Sequence, residues 1–192
     1  MSKNISIKKN ATIGCCGLDC GLCPTFYTIG PSRCPGCCGP DFFNKHPSCS
    51  IITCCVKKHE FETCADCDEF PCSKLKDWDI YDSFICHRIS LSNLKFIKES
   101  DIGKFVEQQK NRIMQLEEML ESFNEGRSKS FYCISSALLP IHDLEQALKN
   151  TKEKIKQNQV KDSDIKSKSK ILKQFLKQYA DKQSIELKLR KN

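Results

Sequence analysis

The stretch Cys15-Cys-Gly-Leu-Asp-Cys20-Gly-Leu-Cys23-Pro24 opens a segment, residues 15–72, that holds thirteen of the fifteen cysteines of this 192-residue chain. Three pairs in the segment have CxxC spacing, namely Cys20/Cys23, Cys34/Cys37 and Cys64/Cys67. That spacing lets two thiolates face one metal ion, and glycine permits the tight turn between them. We therefore expect thiol or thiolate chemistry to organise the fold of this segment.

The cellular compartment decides how so many thiols are interpreted. The beginning of the chain carries charge but no apolar run, so we expect no signal peptide. No stretch approaches the roughly 18 apolar residues that a membrane helix needs, and we predict a cytoplasmic protein without a membrane segment. Cytosolic thiols stay reduced, which favours metal ligation or redox chemistry over a disulfide framework. The odd number of cysteines agrees with this interpretation.

The net charge of +7 is distributed unevenly along the chain. Residues 151–192 carry thirteen Lys or Arg against five acidic residues, whereas residues 15–72 have a net charge of −3. Thiolates bound to zinc would add further negative charge to the cysteine segment. Modules that bind nucleic acid need Lys and Arg to offset the phosphate charge. We therefore do not expect the acidic cysteine segment to bind nucleic acid. The Lys-rich tail keeps nucleic-acid association as a third functional hypothesis.

The composition divides the chain into a polar lead at 1–14, a cysteine-rich metal-binding module at 15–73 and a helical domain with a Lys-rich tail at 74–192. Helical spacing of apolar residues occurs within 74–100, with Ser92 as a candidate N-cap, and again at 130–139, 141–155 and 171–179. Ile185, Leu187 and Leu189 alternate with charged residues and predict one short C-terminal strand. The predicted fold is small and α-rich, an irregular metal-stapled module followed by helices.

The clearest helical pattern is an apolar stripe over residues 102–123, preceded by Asp101 as N-cap and followed by Gly126 near the C-terminal end. Gln109 is the one polar residue in the stripe. The stripe predicts packing within a small helical bundle. A dimer through a coiled-coil seam is the second interpretation, and three heptads do not decide between them.

The cysteine segment offers enough ligands for two tetrahedral sites. Cys49 and Cys54 form a fourth pair-like element, Cys16 precedes the first pair, and Cys72 follows the last. Sequential and interleaved combinations of the pairs differ by about 0.8 kcal/mol of loop-closure free energy per loop. A structural zinc ion contributes on the order of 10 kcal/mol, so loop entropy cannot choose the combination.

Several residues near the pairs have weaker claims to a role. Cys15, Cys38 and Cys55 each adjoin a candidate ligand, and neighbouring residues rarely serve one ion well. They could be spare thiols, buried small residues or reactive groups, with burial as the default interpretation. His46 and His59 could replace a cysteine as ligand. Cys86 and His87 are neighbours on a helical pattern and point about 100° apart, which disfavours a catalytic pair. Cys133 is interpreted as a core residue, and no catalytic constellation is identifiable.

The order of the cysteine motifs resembles that of an uncharacterised prokaryotic cysteine-rich family, a domain of unknown function whose members are often labelled zinc-binding. The matching stretches are Cys16-Gly-Leu-Asp-Cys20-Gly-Leu-Cys23-Pro24, Cys34-Pro-Gly-Cys37, Cys49-Ser-Ile-Ile-Thr-Cys54 and Cys64-x2-Cys67-Asp-Glu-Phe-Pro-Cys72. The resemblance implies ten metal ligands: Cys16, Cys20, Cys23, Cys34, Cys37, Cys49, Cys54, Cys64, Cys67 and Cys72. It leaves Cys15, Cys38 and Cys55 outside the pattern and implies no activity.

The sequence is compatible with two kinds of metal centre. Zinc is the leading interpretation, in a structural role with every position filled by thiolate and with the protein acting through a protein partner. Iron–sulfur clusters also take four thiolates, so an iron–sulfur redox protein or redox enzyme component is the alternative from another functional class.

Overall fold

The computed structural model describes residues 8–47 and 49–191, which form two compact units. The first unit comprises the described residues up to Gln109 together with 189–191, and the second is Lys110–Lys188. The cysteine segment and residues 74–109 therefore belong to the same unit. The described part of the predicted polar lead is not fully exposed, because Lys8 and Ile13 are buried.

Short helices and turns build the first unit. Its helices are α1 (Phe42–Lys45), α2 (Ser50–Ile52), which continues as a π-helix over Thr53–Lys58, and α3 (Ser90–Glu99), with single 3-10 turns at Cys20–Leu22, Cys64–Asp66 and Ser73–Leu75. Ser92, the predicted N-cap, lies inside α3. Buried apolar residues from all these elements form one core, which includes Ile13, Phe42, Ile51, Leu75 and Leu94.

Helix α4 (Ile102–Phe123) follows the prediction closely. The backbone N–H of Lys104 donates to Asp101 Oδ1 over 2.9 Å, so Asp101 caps the helix as expected. Its buried residues are Phe105, Gln109, Leu116, Met119 and Phe123. Part of the apolar stripe is thus buried by packing within the chain. Met114 is a large apolar side chain of α4 that stays exposed. Dimerisation through this helix stays a prediction.

The second unit contains the rest of α4 with α5 (Lys129–Leu138), α6 (Ile141–Gln157) and α7 (Ile165–Lys182). Helices α6 and α7 pack against each other, with Leu144, Leu148, Leu172 and Leu176 buried. Pro140 separates α5 from α6, as proline in that position predicts. Among the described residues, no helix is both long and apolar enough to cross a membrane.

The predicted C-terminal strand is wrong: no strand occurs in residues 8–47 and 49–191. Ile185, Leu187 and Leu189 are half-buried and their neighbours exposed, so the alternation is real. The Ile185 N–H, however, bonds back to the carbonyl of Ala180 over 2.8 Å and closes the end of α7. A strand needs a ladder of backbone hydrogen bonds to a neighbouring strand, whereas Arg190 accepts a single backbone bond from Asp82 and no strand lies beside this segment among the described residues.

Candidate metal centre

A partly open cavity of about 420 Å³ lies in the first unit and gathers six of the ten predicted ligands. These are Cys16, Cys20, Cys23, Cys34, Cys37 and Cys49. Apolar side chains, including Phe42, Ile51, Ile52 and Trp78, form much of the remaining wall. The first and second CxxC pairs therefore share one cavity, as sequential pairing would place them.

A second cavity, of about 300 Å³, gathers the other four predicted ligands. Its wall contains Cys54, Cys64, Cys67 and Cys72, together with Cys55. A capping box shapes the turn at Cys64: Ala65 N–H donates to Thr63 Oγ1 over 3.2 Å, and Thr63 N–H donates to Asp66 Oδ2 over 2.9 Å. The third CxxC pair is thereby held on this cavity.

The structure separates the pair Cys49/Cys54 between the two cavities. Cys49 is the extended residue before α2, and Cys54 lies in the π-helix that follows. The helical turns between them carry the chain from one cavity to the other, with Ile51 on both walls. The spacing of Cys49 and Cys54 predicts one pair-like element. It does not reveal the wider π-helical turn that separates them.

The first knuckle is fixed against α3 and α4. Gly17 has a φ of 81°, and a Cβ there would lie 2.1 Å from the carbonyl oxygen of Ser90. Asn93 donates from its side chain to the carbonyl of Gly17 over 2.9 Å. Burial raises the pKa of both the Cys16 and the Cys20 thiols. Metal binding to these residues would therefore release protons.

A compact group of three cysteines is formed by Cys15, Cys37 and Cys38. Their Sγ atoms all lie within 4.8 Å of one another. The Sγ atoms of Cys15 and Cys37 are 3.7 Å apart. Hydrogen bonds from Cys37, and then from Cys38 and Cys55, lower the pKa of Cys15. Among the described residues, this is the group whose atoms are close enough to hold one metal ion without rearrangement.

The sequence favours burial for two members of this group, Cys15 and Cys38, and both are buried. It does not predict that Cys38 and its neighbour Cys37 reach the same point. Cys38 adopts a φ of 59°, in the left-handed region, which allows its thiol to lie beside that of Cys37. The density of cysteines around Gly36 was the only signal in the sequence, and it did not specify this backbone conformation.

Lys8 is a buried cation at the same place. Its side chain is 3% exposed, and Nζ donates to the carbonyl of Ile13 over 2.6 Å. Burial alone would lower its pKa, but electrostatic interactions with Cys37, Cys15 and Cys20 outweigh this and raise the pKa. Nothing in the sequence singles out Lys8, because a lysine in a polar lead gives no sign of burial.

The remaining candidates have separate positions. His46 stacks on Phe42 and lies on the first cavity, while His59 stacks on Phe61 and lies on the second. Cys86 and Cys133 are buried outside both cavities. His87 does not pair with Cys86; its Nε2 is 3.0 Å from Ser83 Oγ and its Nδ1 is 3.1 Å from the carbonyl oxygen of Trp78.

Comparisons of the chain with protein-family models, with curated proteins and with solved structures find no match. The family resemblance of the cysteine motifs therefore stays a prediction. The cysteine-rich segment does contain a group of three cysteines, Cys15, Cys37 and Cys38, that could hold a metal ion.

Proposed function

We propose that the protein carries iron–sulfur clusters in its two cysteine-lined cavities and acts as an electron carrier or as a redox component of a larger enzyme. The observation that carries the proposal is the division of the ten predicted ligands, six around one cavity and four around the other. Each cavity thus has at least the four thiols that a cluster takes.

The spacing of the thiols supports clusters over single zinc ions. Zinc with four thiolates at about 2.3 Å requires sulfur atoms about 3.8 Å apart, from the geometry of a tetrahedron. Among the described residues, three ligand atoms within 4.8 Å of one another are found at Cys15, Cys37 and Cys38. The other predicted ligands surround open volumes of about 420 and 300 Å³ instead. A cluster puts several metal and sulfide ions between its cysteines and so suits the wider spacing.

The surrounding side chains suit a redox site. Phe42, Ile51 and Trp78 line the first cavity, and Phe61 and Leu75 line the second, which keeps water from much of each wall. When bound, such a cluster supplies one-electron redox chemistry whose potential depends on burial, charge and hydrogen bonds to the sulfurs. The protein partner expected from the sequence would then be a redox protein that exchanges electrons with it.

Structural zinc in the same cavities is the competing proposal, and the CxxC knuckles favour it. Anaerobic purification followed by iron, zinc and sulfide analysis and an absorption spectrum distinguishes the two. We expect a brown protein in which Cys20→Ser and Cys67→Ser each remove about half of the iron and sulfide. Cys133→Ser, in the buried face of α5, is the matched control and should remove none. A colourless protein with zinc in both cavities would overturn the proposal.

A further inference from the structure

The three cysteines that lie outside the family-like pattern come together in space. Cys15, Cys38 and Cys55 belong to three separate parts of the sequence, yet the Sγ atoms of Cys15, Cys37 and Cys38 lie within 4.8 Å of one another, and Cys55, outside that group, interacts with Cys15. We propose that Cys15, Cys37, Cys38 and Cys55 bind one zinc ion in a third, buried site, for which the Cys55 side chain moves toward the other three. Cys15 and Cys37 also line the first cavity, and Cys55 lines the second. Random placement of spare thiols would not predict this convergence.

The sulfur positions suit a tetrahedral ion. A zinc ion bound by four thiolates at about 2.3 Å requires sulfur–sulfur distances of about 3.8 Å. The Cys15 and Cys37 sulfurs are 3.7 Å apart, and Cys38 completes a group within 4.8 Å. A disulfide would need about 2.05 Å between two sulfurs, so the present spacing fits shared coordination better than a cross-link.

The backbone around Cys38 is held in a conformation that a core residue would not require. A φ of 59° at Cys38 is uncommon for a residue with a side chain, and it persists only where the surroundings enforce it. The enforcing contacts lie next to it: Cys37 N–H donates to the carbonyl of Ala11 over 2.8 Å, and a Cβ at Gly36 would lie 2.3 Å from that oxygen. The result is that two adjacent thiols face one point.

Burial and charge indicate a closed, structural zinc site. None of the four cysteines is more than 6% exposed, so the site is largely shielded from water. Four thiolates and one Zn²⁺ carry a net charge of −2, and a buried charge is costly unless it is compensated. The ammonium group of Lys8, itself buried, supplies one positive charge at this place. A zinc ion whose four coordination positions are all filled by thiolates is typical of a structural site.

The site uses none of the thiols that the two cavities need. Without Cys37, the first cavity retains Cys16, Cys20, Cys23, Cys34 and Cys49, and the second retains Cys54, Cys64, Cys67 and Cys72. The third site can therefore be filled at the same time as both cavities. Its existence does not depend on which metal the cavities hold.

The test is elemental analysis of the anaerobically purified full chain, combined with zinc-edge X-ray absorption. We expect one zinc ion per chain, with four sulfur ligands at about 2.3 Å. Cys15→Ser and Cys38→Ala should each lose this zinc and keep the metal of the cavities, whereas Cys86→Ser, a buried cysteine away from the group, should keep all metals. The absorption measurement needs no variant, so it decides the question even where a variant fails to fold.

The outcomes separate this proposal from that for the cavities. Iron and sulfide with no zinc would leave the clusters standing and overturn the third site. Zinc in every site, of which one ion is lost with Cys15→Ser, would overturn the clusters and support the third site. Zinc that disappears with Cys20→Ser or Cys67→Ser but not with Cys15→Ser would assign it to the cavities and overturn the third site.

Discussion

The side-chain amide of Gln109 donates a hydrogen bond to the carboxylate of Asp19, a residue 90 positions earlier in the chain. The same amide donates to the carbonyl of Thr12 over 2.8 Å, and Gln109 is 2% exposed. The polar interruption of the α4 stripe is thus the point at which this helix holds the first cysteine knuckle.

Replacing Gln109 by leucine should destabilise the protein by about 1–3 kcal/mol, because the buried Asp19 carboxylate and the half-buried Thr12 carbonyl each lose a hydrogen bond. Urea unfolding followed by circular dichroism measures this. Gln108→Leu, at an exposed position of the same helix, is the control and should change stability little. Equal midpoints for the two variants would show that the Gln109 bonds contribute nothing.

Gly17→Ala should prevent the first knuckle from packing on α3. The added Cβ would lie 2.1 Å from the Ser90 carbonyl oxygen, and the φ of 81° is unfavourable for alanine. Gly30→Ala is matched in conformation, with a φ of 93°, but meets no atom within 4 Å. We expect about 1–2 kcal/mol from the backbone in both variants and a larger loss, with reduced metal content, in Gly17→Ala alone. Thermal unfolding and metal analysis of both proteins check this.

Removal of metal should unfold the first unit while most of the helical signal persists. The cysteine segment has only short helices, so we expect its structure to depend on metal, whereas α5, α6 and α7 pack on one another through apolar side chains. Trp78, the only tryptophan, lines the first cavity and reports on it by fluorescence. A chelator should change the Trp78 emission strongly and the far-UV signal modestly. Indifference of both signals would mean that metal has no structural role.

Acid should weaken the second unit through Glu125. Desolvation alone would raise the pKa of Glu125, but hydrogen bonds from Lys173, Ser128 and Ser169 outweigh it and lower the pKa to about 2. Because the folded-state pKa is depressed, the stabilisation is present above the unfolded value of about 4.3 and is lost as pH falls toward 2. Glu125→Gln should cost about 1–3 kcal/mol at pH 7 and much less near pH 2. Unfolding curves at the two pH values measure the difference, with exposed Glu121→Gln as control.

Lys8→Met should shift the reduction potential of a cluster in the first cavity downward, on the order of tens of millivolts. Removing a buried positive charge disfavours the reduced, more negative state of the cluster. Lys9→Met changes the same charge at an exposed neighbouring position and should shift the potential far less. Redox titration of the three proteins provides the measurement, and equal potentials would show that Lys8 does not act on the cavity.

Local sequence patterns determined much of the secondary structure. The spacing of apolar residues predicted α4, and helical patterns predicted α5, α6 and α7 approximately, since helical periodicity depends on residues only a few positions apart. The same reasoning failed at Ile185 to Leu189, because alternation describes an extended chain and does not supply a neighbouring strand.

The spacing of the cysteines identified the segment that carries the thiols, and the family resemblance named ten candidate ligands within it. Their division between two cavities comes from the folded chain, because the loop-closure terms that distinguish the combinations are too small to read from spacing. A π-helical turn separates Cys49 from Cys54, and a left-handed backbone at Cys38 brings its thiol to those of Cys37 and Cys15. The turn at Cys38 is held by the bond from Cys37 N–H to the Ala11 carbonyl, and a contact between residues so distant in the chain leaves no periodic trace in the sequence.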